Sequence, residues 1–159
     1  MSAVPSVHVT ARAVVLRNEQ ILLLRYDRPR PHYNLPGGKA KAHEGLADTV
    51  VRKVAEECGL RTEVRGLLFV EESLPAGRGS DPAVHHKFEC VVLADVPDGA
   101  EPPGDGPPAR DPHGGTPEWV PLTELTELPL LPPIQERLLA ALRSPLSTGI
   151  WHRVEEPVR

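Results

Sequence analysis

The segment from Gly45 to Cys58 constrains the fold more than any other part of the chain. Apolar residues recur along it at the three- and four-residue intervals of an amphipathic α-helix: Leu46, Ala47, Val50, Val51, Val54 and Cys58. Gly59 follows directly and favours a helix stop, because glycine readily adopts the left-handed conformation found at helix C-termini. We therefore predict a helix over 45–58 whose charged residues share one exposed side: Arg52, Lys53, Glu56 and Glu57.

Segments rich in β-branched and apolar residues lie on both sides of this helix and indicate strands. We predict strands over 7–16, 20–26, 62–74, 86–96 and 118–120, and a final helix from Pro132 to about Leu142. Strands that both precede and follow a helix favour a mixed α/β sheet with helices packed on its faces.

The length of 159 residues suits one domain over 1–159, with a core at about 7–142. Prolines interrupt 27–44, which we predict to be a loop where Gly37 and Gly38 let the backbone approach a ligand closely. The segment 97–117 is dense in proline and glycine and predicts a mobile loop, whereas the tail 144–159 has no assignable pattern.

Charge and hydropathy argue against several function classes. The chain carries 18 Lys+Arg against 22 Asp+Glu, a net charge of −4, without a long basic block, so we expect no nucleic-acid partner. Its apolar runs are shorter than the ~20 residues of a membrane span, and its first residues lack the pattern of a signal peptide. We expect a cytoplasmic protein without membrane contact, in which the separated Cys58 and Cys90 are buried thiols.

A fixed spacing of charged residues and glycines joins the predicted loop to the helix. Five residues separate Gly38 from Glu44, seven separate Glu44 from Arg52, and Glu56, Glu57, Gly59 and Leu60 complete the series. This series resembles the signature of the Nudix hydrolase family. The resemblance extends to YNLPGG, EWVPLTEL and the predicted final helix, and covers about 7–142.

The resemblance implies a Nudix-type α/β/α sandwich and a hydrolase that uses Mg²⁺ or Mn²⁺. Its substrate would be a nucleoside diphosphate derivative, such as a nucleotide sugar, a dinucleotide or a nucleoside triphosphate, whose diphosphate linkage is cleaved. Glu56, Glu57 and the Gly38 carbonyl would hold the metal, since such ions prefer hard oxygen ligands. Arg52 would orient Glu56, and Glu44 would either join the metal site or fix the loop and the helix start.

Two positions depart from the family pattern. Lys53 and Lys41 stand where the family usually has glutamates. An inward-pointing Lys53 ammonium would weaken a metal site severely, whereas an outward one would form only a surface pair. The sequence leaves both rotamers open. It also leaves open a second function, a catalytically impaired Nudix-fold module in which the lysines replace the charge of the metal and a nucleotide or partner is bound without hydrolysis.

The remaining candidates lie in loops or are aromatic. The resemblance also implies a catalytic acid or base from the loop before the last strand, where Asp111 and His113 are better placed than Asp105. Tyr33 and Trp119 could stack on a nucleobase, although aromatics more often pack in a core or at its rim. A homodimer is an alternative to a monomer, because Trp151 in the tail could contact a second subunit or fold back on its own chain.

Overall fold

A computed structural model of the protein describes residues 6–74, 86–102 and 114–143. The strands are β1 (Val7–Arg17), β2 (Gln20–Tyr26), β3 (His32–Asn34), β4 (Gly37–Lys39), β5 (Glu63–Ser73), β6 (His86–Asp95) and β7 (Thr116–Pro121). The helices are α1 (Leu46–Cys58), a 3₁₀ helix (Leu122–Glu127) and α2 (Gln135–Arg143).

The strands of the described residues form one mixed sheet around β1. The hydrogen-bonded order is β3-β2-β1-β6-β5, while β4 pairs with β1 and β7 pairs with β2. The β1–β6 pairing is parallel, and the other pairings are antiparallel. Parallel neighbours need a long crossover, and here α1 lies within the chain that separates β1 from β6. The predicted mixed sheet is confirmed.

Residues of β1 on opposite faces of the sheet pack into two separate hydrophobic cores. Ala11, Ala13 and Val15 pack with α1 residues such as Val50 and Val54. Val14 instead joins a core that contains Leu125 of the 3₁₀ helix and Leu138 of α2. Because successive strand residues point to opposite faces, helices cover both sides of the sheet. The predicted α/β/α fold is therefore confirmed.

Backbone hydrogen bonds explain where α1 begins and ends. The Gly45 N–H donates to Asp48 Oδ2 over 3.0 Å, which satisfies a backbone donor at the start of the helix. Gly59 has φ 65°, and its N–H donates to the Ala55 carbonyl at 3.0 Å. The predicted glycine stop is thus confirmed, and the helix lies within one residue of its predicted start.

Two predicted loops contain more regular structure than the sequence indicated. The proline-broken segment 27–44 includes β3 and β4, whose backbones pair with β2 and β1. Within 97–117, β7 already begins at Thr116. These strands are short and lack a long alternating pattern, so their pairing depends on the neighbouring strands. Residues 103–113 and the tail 144–159 lie outside the described residues.

None of the helices formed by the described residues is long and apolar enough to cross a membrane.

Candidate functional site

The Gly37 backbone fixes the position of β4 relative to α1. Its N–H donates to Glu57 Oε1 over 2.9 Å. A Cβ added at Gly37 would lie 2.1 Å from the Ala11 carbonyl oxygen, and the φ of 151° is one that residues with side chains rarely adopt. Only glycine therefore lets the strand pass this closely between β1 and the helix.

The charged side of α1 is less exposed than predicted, and Val51 does not lie on a buried apolar face. Glu57 is 4% exposed, because β4 covers it and the Gly37 N–H of that strand donates a hydrogen bond to its carboxylate. Val51, which the periodicity assigned to the apolar face, is 37% exposed. The contact of α1 with β4 thus buries Glu57. Helical periodicity alone does not predict that contact, because it involves a separate strand.

Arg52 links the loop before the helix to the helix itself. It donates to Glu44 from Nε at 2.7 Å and from Nη2 at 2.8 Å, and to both Glu56 oxygens from Nη1 at 3.3 Å. The hydrogen bonds from Arg52 lower the pKa of Glu44 to about 2, and those from Glu44 raise the pKa of Arg52. The predicted proximity of Arg52 to Glu56 is present in the structure.

Glu44 also receives hydrogen bonds from its own loop and from α1. The Lys41 N–H donates to Oε1 at 3.1 Å and the Thr49 hydroxyl donates to the same oxygen at 2.8 Å. With Arg52, these donors engage both carboxylate oxygens of Glu44. Of its two predicted roles, this geometry favours fixing the loop and the helix start.

Lys53 points into the protein. Its side chain is only 19% exposed, and its Nζ lies 3.5 Å from Glu56 Oε2 and 3.7 Å from Glu57 Oε1. The lysine stem passes beside Gly38, where an added Cβ would lie 2.7 Å from Lys53 Cε. The rotamer that the sequence left open is therefore the inward one.

The side chains around Lys53 show whether the predicted Mg²⁺ or Mn²⁺ could be bound there. Within residues 6–74, 86–102 and 114–143, no group of three or more His, Cys, Asp or Glu side chains could hold a metal ion. Glu56 and Glu57 share the Lys53 ammonium. A divalent ion ~4 Å from that ammonium would be repelled by about 8 kcal/mol at an effective dielectric constant of 20, which cancels the attraction of one of the two carboxylates at the same distance. The donors, as arranged, do not fit a resident divalent cation.

A cleft of about 540 Å³ opens beside Gly37 and Gly38. The other described residues that line it are Arg12, Tyr26, Arg28, Pro29, His32, Asn34, Lys39, Lys53 and Glu57. Four of these side chains are cationic and one is a carboxylate, although the whole chain has a net charge of −4. Positive charge is thus concentrated along this cleft, which suits an anion.

Contacts within the protein hold several cleft side chains. Arg12 lies 3.4 Å from Glu89 Oε1 and donates to the Leu35 carbonyl at 3.4 Å. The rings of Tyr26 and His32 stack with centroids 5.1 Å apart and an angle of 10° between their planes. These contacts hold polar and aromatic side chains in the lining of the cleft.

The structure separates the predicted aromatic contacts from this cleft. Neither Tyr33 nor Trp119 is among the described residues that line it. Tyr33 packs against the core on the α2 side, and burial, together with a hydrogen bond to Glu118, raises its pKa. Trp119 packs against the α1 core, with the Arg17 guanidinium 4.1 Å above its ring. Both aromatic side chains therefore pack against a hydrophobic core, which was the alternative to stacking on a nucleobase.

The predicted loop acids and base, Asp105, Asp111 and His113, lie outside the described residues. Sequence reasoning also missed several residues that the structure brings to the cleft: Arg12, Tyr26, Arg28, His32, Asn34 and Lys39. One signal was available for Arg12, since a charged residue within an apolar strand needs a buried partner or a ligand.

Comparisons with known proteins agree with the geometry. A family model described as NUDIX domain matches residues 7–142. A Bacillus subtilis (strain 168) protein named "Putative ADP-ribose pyrophosphatase YjhB" is 30% identical over 95 residues, which are 60% of this chain and 44% of that protein. The match thus spans less than half the length of that relative.

Two solved structures have a similar fold. A MutT NUDIX hydrolase from Burkholderia pseudomallei has a TM-score of 0.64 and 28% identity, and the alignment covers 84% of this chain and 97% of that one. A NUDIX hydrolase from Nitrosomonas europaea has a TM-score of 0.68 and 18% identity, and the alignment covers 87% of this chain and 89% of that one.

Proposed function

The chain belongs to the NUDIX family, and on that premise we propose that it hydrolyses the diphosphate linkage of a nucleoside diphosphate derivative. The observation that carries this proposal is the cationic cleft beside Gly37 and Gly38 in a chain of net negative charge. A diphosphate group carries several negative charges, which Arg12, Arg28 and Lys39 would partly neutralise. The name of the Bacillus subtilis relative places ADP-ribose among the substrates to be tested first.

The reaction requires a water oxygen to form a bond to phosphorus while the bridging P–O bond breaks. Cationic side chains favour this step because they stabilise charge that develops on the phosphate oxygens. The proton acceptor for the water stays a prediction from the sequence, with Asp111 and His113 as candidates. Nudix hydrolases generally use a divalent metal ion, but the described donors around Lys53 do not support the predicted Mg²⁺ or Mn²⁺, and no step of this proposal depends on it.

A second candidate function has a specific observation in its favour. The inward Lys53 occupies the position where the family usually has a glutamate, and its ammonium lies beside both Glu56 and Glu57. A protein altered in this way could retain a nucleotide without cleaving it.

One experiment separates the two candidates. Turnover and binding of ADP-ribose, nucleotide sugars, dinucleotides and nucleoside triphosphates would be measured with Mg²⁺, with Mn²⁺ and with EDTA. We expect hydrolysis of at least one diphosphate-linked compound, and a KM about tenfold higher for Arg28→Met, because the cleft loses one phosphate contact. Binding without turnover would favour the second candidate, and the absence of both would refute the proposed function.

A further inference from the structure

The position of Lys53 depends on a residue that has no side chain. Its stem lies over Gly38, where any Cβ would come within 2.7 Å of Cε. Its ammonium then lies between the two helix carboxylates, 3.5 Å from Glu56 and 3.7 Å from Glu57. Gly38 and Lys53 therefore fit each other, and the amine is held inside the site rather than in solvent.

The ammonium faces the cleft as well as the carboxylates. Lys53 and Glu57 both line it, together with Arg12, Arg28 and Lys39. The Lys53 ion pairs are longer than ordinary hydrogen bonds, so its N–H groups can turn toward a phosphate oxygen without breaking a short contact. A single fixed positive charge thus lies between the acidic helix and the space that an anion would fill.

We propose that the Lys53 ammonium takes the place of the divalent cation, so that the cleft binds a diphosphate group without Mg²⁺ or Mn²⁺. The inference rests on the proposed function only in taking this cleft as the diphosphate site. Two observations support it without reference to the hydrolytic reaction. The donors around Lys53 do not fit a resident divalent ion, and a cation is already present between the carboxylates.

The first test is calorimetry with ADP and with inorganic pyrophosphate, each in EDTA and in Mg²⁺. We expect the wild type to bind both probes in EDTA with an affinity within about threefold of that in Mg²⁺. Lys53→Met should weaken binding in EDTA by about tenfold or more, because a charge-assisted contact to the phosphate is lost. Lys41→Met is the matched control, since it removes the same charge from an exposed loop position and should change little.

The second test restores the acid of the family pattern. Lys53→Glu should bind Mn²⁺, followed by electron paramagnetic resonance, at least about tenfold more tightly than the wild type, because a cation is replaced by a third carboxylate. Melting curves of all variants would establish that each one is folded. This test needs no turnover, so it does not depend on the hydrolytic reaction.

The outcomes separate the inference from the proposed function. Diphosphate binding that appears only with Mg²⁺, or Mn²⁺ affinity equal in wild type and Lys53→Glu, would overturn the role of Lys53 and leave the cleft as the diphosphate site. Failure of ADP and pyrophosphate to bind under either condition would overturn both. Binding in EDTA that is lost in Lys53→Met and kept in Lys41→Met would support the inference.

Discussion

Arg52 and Lys53 are neighbours on α1, yet their surroundings differ. On the Arg52 side, a bidentate pair with Glu44 at 2.7 and 2.8 Å ties the preceding loop to the helix. On the Lys53 side, the ion pairs are 3.5 and 3.7 Å long and border an open cleft. Short charge-assisted hydrogen bonds on the first side stabilise the frame of the site. The longer pairs on the second side leave a cation that a ligand can contact.

The largest effect on stability is expected in β4, whose backbone lies beside Lys53 and Glu57. Gly37→Ala should reduce the free energy of unfolding by about 3 kcal/mol or more, because its Cβ would clash with the Ala11 carbonyl and its φ is unfavourable. Gly38→Ala is the matched control: the three atoms nearest its Cβ all belong to the flexible Lys53 side chain, so we expect a loss below about 1 kcal/mol. Equal losses in urea unfolding would contradict this view of β4.

A smaller effect is expected on the Arg52 side. Glu44→Gln should cost roughly 2 kcal/mol of unfolding free energy, because the bidentate pair with Arg52 loses its charge. Glu56→Gln should cost no more than about 1 kcal/mol, since the Glu56 side chain is 41% exposed and its contacts to Arg52 are longer. Denaturant unfolding of both variants would measure the difference, and a larger loss for Glu56→Gln would reverse the ranking of the two contacts.

The smallest effect is a dependence on acid. The pKa of Glu44 is lowered from 4.5 to about 2, so its ionised form stabilises the folded state above pH 4.5. That contribution should fall as the pH drops from 4.5 through 2, because in this range the unfolded chain binds a proton at Glu44 that the folded protein binds only near pH 2. The stability difference between wild type and Glu44→Gln, followed by circular dichroism, should therefore shrink in this range. A constant difference would show that Arg52 does not lower this pKa.

Part of the site could be predicted from the sequence, because its residues lie close together along the chain at a fixed spacing. The period of α1 and the fixed distance from Gly38 to Glu44 place the charged residues on one loop and one helix. The order of strands and helices along the chain likewise predicted a mixed sheet covered by helices, and the family comparisons agree with that fold.

The rest of the site depends on contacts between distant segments. Glu57 is buried because β4 packs on it, and Arg12 reaches the cleft because β1 pairs with β4. The direction of Lys53 depends on the space over Gly38, which helical periodicity does not describe. The three-residue strands at the cleft are too short for a recognisable pattern, so their side chains could not be assigned in advance.

The parallel pairing of β1 with β6 has a consequence during protein synthesis. Val7 through Val15 have their parallel partners among residues from His86 to Ala94, and only Thr10, Ala11 and Arg12 also pair with the nearer β4. The first strand therefore leaves the ribosome long before its neighbour is translated, and closing so distant a pairing is slow. Until residue 94 emerges, the nascent chain carries a strand that is apolar on both faces and lacks this partner, a period in which chaperone binding would protect it from aggregation.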